Sequence, residues 1–125
     1  MGTQRFFLAA RLESFRYAGK GIAVMMRSQH NAWLHAMATV VVCAVAFYLG
    51  VTRDEWCSIV LTMVTVWTAE ALNTALELLA NAVAPTPHPL IKKAKDVAAG
   101  AVLLAVAGAI IVGVLILGPR LVALF

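Results

Sequence analysis

Two carboxylates and a carboxamide, Glu70, Asn73 and Glu77, are set into a long apolar stretch running from Trp56 to Val83. At about 3.6 residues per turn they fall near 0°, 300° and 340° around a helix, with Asn81 near 20°. All four share one narrow face. An acidic side chain inside a membrane span costs roughly 2.5 to 3.5 kcal/mol on insertion scales, so two on one face mark a functional site. The cost is relevant because the chain is 62% hydrophobic and 13% charged over 125 residues, far from the usual soluble balance.

That balance predicts an all-α membrane protein, a single membrane domain over residues 1–125. An amphipathic helix is expected over 4–28, with Arg5, Arg16, Lys20 and Arg27 on one face and Phe6, Phe7, Phe15, Tyr17, Ile22 and Met25 on the other, lying on the membrane surface. Gly19 and Gly21 allow a break near Lys20. Transmembrane helices are expected over 32–51, 56–83 and 97–117, with Trp33 and Tyr48 as interfacial anchors of the first. Ala84 to Pro89 reads as a rigid connector, and Gly118-Pro119 as the end of the third span. Cys43 and Cys57 lack metal-knuckle or disulfide spacing and read as packing residues.

Basic residues concentrate in the N-terminal segment and in Lys92, Lys93 and Lys95, whereas the first loop carries only Arg53 beside Asp54 and Glu55. This asymmetry places the N-terminus and second loop on the cytoplasmic side. The net charge of +4 belongs to residues flanking apolar spans, which favours a membrane surface or a phosphate ligand over nucleic acid. His35, one turn inside the polar collar Ser28-Gln29-His30-Asn31, reads as an interfacial hydrogen-bonding group.

The pattern suits a reaction between a water-borne anion and a membrane-borne group. Burial makes a carboxylate a better acceptor for the proton of a lipid hydroxyl. A carboxylate nearer the interface suits Mg²⁺, a hard cation that travels with phosphates, and lysine or arginine can neutralise a transferring phosphoryl group. No Walker loop or protein-kinase motif is present. Three readings remain open from the residues alone: a lipid-headgroup enzyme, a proton or cation carrier, and a small membrane assembly subunit that uses the polar face as interhelical glue.

Four blocks carry a resemblance. Ser14-Phe15-Arg16-Tyr17-Ala18-Gly19-Lys20-Gly21-Ile22, Gln29-His30-Asn31 with His35, Glu70-x-x-Asn73-Thr74-Ala75-Leu76-Glu77, and Lys93-Ala94-Lys95-Asp96-Val97-Ala98-Ala99-Gly100-Ala101-Val102 together resemble the prokaryotic diacylglycerol kinase and undecaprenol kinase family. The resemblance implies a homotrimeric bacterial inner-membrane kinase that uses ATP and Mg²⁺ to phosphorylate a lipid alcohol, at composite sites between subunits. By motif it implies Glu70 as general base and Asn73 as its polar neighbour. Glu77 matches the Mg²⁺ ligand, and Lys95 and Asp96 the nucleotide side. Arg16 and Lys20 are implied phosphate contacts, and Arg11 a substrate contact. Many members have glutamate where this chain has Gln29, and often aspartate where it has Asn81; Gln29 offers a carbonyl oxygen to the metal but no charge. The Ser-Phe-Arg-Tyr-Ala-Gly-Lys-Gly and Pro-His-Pro-Leu stretches are more similar to the undecaprenol-kinase branch than to the diacylglycerol-kinase branch.

Overall fold

The computed structural model describes the backbone of residues 2–125 and the side chains of residues 6–125. The side chain of Arg5, one member of the expected basic face, lies outside the described residues. Four helices follow one another: α1 (Gly2–Ser28), α2 (His30–Leu49), α3 (Arg53–Val83) and α4 (Pro89–Val122). Three of them, α2, α3 and α4, are long and apolar enough to cross a membrane. At about 1.5 Å per residue, α3 and α4 reach roughly 46 and 51 Å, well past a hydrocarbon core of about 30 Å. Their ends therefore stand in the headgroups or beyond.

The helices begin and end where local chemistry dictates. α2 stops at Gly50, whose φ of 64° and ψ of 47° lie in the left-handed region open to glycine. Gly50 N–H donates to the Phe47 carbonyl and Val51 N–H to the Ala46 carbonyl, each at 3.3 Å, which is the Schellman pattern. α3 starts on a capping box: Thr52 Oγ1 accepts from Glu55 N–H at 3.2 Å while Thr52 N–H donates to Glu55 Oε2 at 2.8 Å. His88 caps α4, with Nδ1 accepting from Leu90 N–H at 3.2 Å, and Pro89 occupies the first turn, where a missing N–H costs nothing.

The helix ends differ from the expected spans: α2 runs His30–Leu49 rather than 32–51. α3 begins at Arg53 rather than at residue 56, and α4 begins at Pro89 rather than at 97, so Lys92, Lys93, Lys95 and Asp96 are helical. α4 also runs through Pro119 to Val122 instead of ending at Gly118-Pro119. The last turn is held from outside. Arg120 Nη2 donates to Glu55 Oε2 at 2.7 Å, and Nη1 lies 3.5 Å from the carbonyls of Leu49 and Gly50. That strut ties the end of α4 to the α2–α3 turn across the break in the hydrogen-bond ladder that proline imposes. α1 is likewise continuous past Gly19 and Gly21, and a Cβ at either position would meet open space among the described residues.

The buried core is small and sits beside that strut: Ala46, Val51, Ile59 and Leu117, with Trp56, Met63 and Ile116 packed around them. α3 packs most extensively on α4. Large apolar side chains such as Phe47, Leu61, Leu104 and Leu115 face outward, the arrangement expected where lipid or another chain replaces water. Polar side chains in the spans turn inward on their own helix. Thr39, Thr62, Thr65 and Thr74 each donate to the carbonyl four residues back, at 2.7 to 2.8 Å. Cys43 and Cys57 are free thiols, and Cys43 Sγ lies 3.8 Å from Met63 Sδ.

Candidate active site

On the predicted polar face of α3, Glu70 turns toward α2, Glu77 toward the α1–α2 junction and Asn81 toward α4. Glu70 is 1% exposed and Asn73 8%, whereas Glu77 is half-buried. The helix therefore climbs from a dry to a wetter environment along its acidic face. Gln29 sits between α1 and α2 with extended backbone, φ −117° and ψ 116°, and its side chain makes no cap bond to α2. It crosses to α3, where Nε2 donates to Glu77 Oε2 at 2.8 Å.

A ladder of pairs continues downward from there. His35 Nε2 lies 3.3 Å from Glu70 Oε2, Trp67 Nε1 donates to Thr39 Oγ1 at 3.1 Å, and Cys43 meets Met63. Steps of six, four and four residues up α2 are matched by seven, three and four back along α3. This is the register of two antiparallel helices. The His35–Glu70 approach is close enough for an ion pair but is not aligned as a hydrogen bond, so His35 Nε2 and both Glu70 oxygens lack hydrogen-bond partners, as does Asn73 Oδ1. Four buried polar atoms left in this state are costly unless a ligand or a proton engages them.

A second cluster lies at the α3–α4 connector. A groove of about 540 Å³ is lined by Asn81, Thr86, His88, Lys92, Lys95 and Asp96 among others. Lys95 Nζ donates to Asn81 Oδ1 at 3.3 Å, and Lys92 Nζ to Asp96 Oδ2 at 2.9 Å. Asn81 is therefore a partner of Lys95. Among the described residues no hydrogen bond or ion pair joins Lys95 or Asp96 to Glu70 or Glu77. Within one chain the two clusters stand apart.

Arg11, Arg16 and Lys20 are exposed on α1 and are not joined to the acidic face. Lys20 Nζ instead lies 5.6 Å from the centre of the Tyr17 ring, and Tyr17 donates to Glu13 at 3.2 Å. The described residues hold no group of three or more histidine, cysteine or acidic side chains able to bind a metal. What the chain offers is a carboxylate and an amide in contact, a hard-oxygen set once the amide turns its oxygen toward Glu77. It suits a cation that keeps waters and phosphates as its other ligands.

The sequence profile described as Prokaryotic diacylglycerol kinase matches residues 16–117. The chain belongs to that family. A relative in Bacillus subtilis (strain 168), an undecaprenol kinase, is 38% identical over 117 residues, covering 94% of this chain and 91% of the relative. Another in Synechocystis sp. (strain ATCC 27184 / PCC 6803 / Kazusa), a diacylglycerol kinase, is 41% identical over 114 residues, or 90% of this chain and 65% of the relative. As a member of the prokaryotic diacylglycerol kinase family the chain is a membrane-embedded kinase. That membership removes the carrier and assembly-subunit readings as first choices.

Proposed function

We propose that the chain transfers the γ-phosphoryl group of MgATP to the hydroxyl of a membrane lipid alcohol at the cytoplasmic face of a bacterial inner membrane. The observation that carries this is Glu70: a carboxylate 1% exposed, with both oxygens free of hydrogen bonds, on the helix face that also carries Glu77. Such a group has both oxygens open to receive the proton of a lipid hydroxyl. Asn73, one turn away with an unpartnered Oδ1, orients the alcohol. An apolar groove of about 740 Å³ between α1 and α3, lined by Ile22, Met25, Met26, Trp67 and Leu72, suits the lipid chain.

Glu77 and Gln29 would hold Mg²⁺, which neutralises phosphate charge when bound. Lys95 and Asp96 bind the nucleotide from the connector groove, with Arg16 and Lys20 of the surface helix as further phosphate contacts and Arg11 beside the substrate. Because the groove and the acidic face are not joined within one chain, the reading includes a homotrimer in which one subunit's groove serves a neighbour's α3. Outward-facing apolar side chains on α2 and α4 are consistent with that assembly. Undecaprenol is the preferred alcohol, supported by the N-terminal and connector stretches and by the undecaprenol kinase that covers nearly its whole length; diacylglycerol is second.

The test is phosphorylation in mixed micelles with labelled MgATP and each alcohol in turn. Wild type labels undecaprenol in preference to diacylglycerol, and Glu70→Gln labels neither. Failure of wild type on both alcohols and on a wider lipid panel would overturn the proposal.

A further inference from the structure

The proposed reaction assigns Glu70 but leaves His35 without a role. Among the described residues His35 is the one basic side chain within ion-pair reach of Glu70, at 3.3 Å, and it is about one-sixth exposed against 1% for its partner. Its ring is held in place from two helices. Trp67 packs edge-on to it, with centroids 6.3 Å apart and planes at 68°. Trp67 Nε1 in turn donates to Thr39 Oγ1, and the Thr39 hydroxyl donates to the His35 carbonyl at 2.7 Å. A closed circuit of Trp67, Thr39 and His35 thus fixes the imidazole against the residue one turn beyond Trp67 on α3.

Among the described residues of the chain, no other titratable side chain stands within ion-pair reach of Glu70. α4 presents Val106, Ala109 and Gly113 to the groove that His35 borders. α1 presents Ile22, Met25 and Met26 to α3. The other titratable group on the face is Glu77, about 10 Å along the helix and bonded to Gln29. In water an imidazole binds a proton more tightly than a carboxylate by about two pK units. Within the chain, His35 at 3.3 Å is the group placed to receive a proton from Glu70.

We propose that His35 is the positioning and proton-receiving partner of Glu70. This rests on Glu70 being the base of lipid phosphorylation. The lipid O–H bond breaks as its oxygen bonds to the γ-phosphorus, and the bond from that phosphorus to the bridging oxygen breaks, releasing ADP. The proton passes to Glu70 and on to His35 Nε2. An imidazolium then stands beside a carboxylate until the proton leaves to water with product. Holding the proton on His35 keeps Glu70 from returning it to the phosphorylated oxygen.

The experiment compares wild type, His35→Gln, His35→Ala and Glu70→Gln in the micelle assay, with detergent-solubilised assembly and thermal unfolding measured on each. His35→Gln should lower kcat by about tenfold or more while leaving KM for both substrates within twofold. Added imidazole should restore activity to His35→Ala and not to Glu70→Gln. In mixtures of light and heavy water, kcat of wild type should depend on deuterium content with the curvature of two moving protons, and that of His35→Gln should be linear. On the otherwise intact protein, the ¹⁵N resonance of His35 Nε2 should move when Glu70→Gln removes the carboxylate. Loss of kcat with no imidazole rescue and an unchanged isotope profile, or an unmoved ¹⁵N resonance, overturns the role of His35. Full activity in Glu70→Gln overturns the base itself, a separate outcome.

Discussion

Gln29 Nε2 donates to Glu77 Oε2 across 2.8 Å, joining residues 48 positions apart and closing the α1–α2 junction onto α3. The pair stands at the wetter end of the acidic face, and its chemistry is that of a site with one negative charge where two would fit.

Gln29→Glu should therefore strengthen cation binding. Two carboxylates at this separation repel each other until a divalent ion stands between them. The free Mg²⁺ giving half-maximal activity should fall on the order of tenfold, and added Mg²⁺ should raise the unfolding temperature of the variant more than that of wild type. A titration of activity against free Mg²⁺ checks the first, and thermal unfolding with and without the ion the second.

Glu70 and Glu77 should separate kinetically. Glu70→Gln removes the proton acceptor, so kcat should fall by about 10² to 10⁴ with the Mg²⁺ requirement unchanged. Glu77→Gln should raise the Mg²⁺ requirement, with activity partly recovered at high concentrations of the ion. Parallel Mg²⁺ titrations of both variants distinguish the roles, and identical profiles would remove the assignment of separate tasks.

Lys95 should matter more to nucleotide than Lys92. The Lys92 ammonium is already bound to Asp96 at 2.9 Å, whereas Lys95 spends its bond on the neutral amide of Asn81 and faces the same groove. Losing one charge-assisted bond is worth about 1.5 to 3 kcal/mol. Lys95→Met should raise KM for ATP by about tenfold or more, and Lys92→Met by much less. Initial rates at varied ATP and saturating lipid supply the comparison.

At the opposite end of the bundle, stability rather than turnover should respond. Thr52→Ala deletes the side-chain half of the capping box and should cost about 1 kcal/mol. Arg120→Ala removes a partly exposed ion pair with Glu55 and should lower the unfolding midpoint by less than Thr52→Ala does. Denaturation in mixed micelles reads both, and kcat measured well below the transition should stay within twofold of wild type.

The membrane class, the three spans and the shared face of Glu70, Asn73 and Glu77 were legible in the sequence, because they depend on hydropathy and on helical periodicity alone. Helix ends were less so, since they depend on specific bonds. The run Thr52-Arg53-Asp54-Glu55 is a capping-box signature that marks Arg53 as the first helical residue, and Pro89 suits a first turn. Pro119, by contrast, reads locally as a terminator, and α4 passes it to reach Val122, where Arg120 is held by groups 65 to 71 residues away. No local pattern encodes that. The partnership of His35 with Glu70 had a signal: once Gln29 is set opposite Glu77, the antiparallel register brings His35 level with Glu70. The Lys95–Asn81 bond depends on the path of the connector and has no counterpart in helical spacing.

The Arg120 strut also determines which part of the molecule can move. With the His88 connector at one end and Arg120–Glu55 at the other, α3 and α4 are tied together at both extremities. The far end of α2 is packed against that pair through Ala46, whereas the α1–α2 junction meets it through the side-chain pairs Gln29–Glu77, His35–Glu70 and Thr39–Trp67. Amide hydrogen exchange should accordingly be faster at the α1–α2 junction than in the paired stretches of α3 and α4.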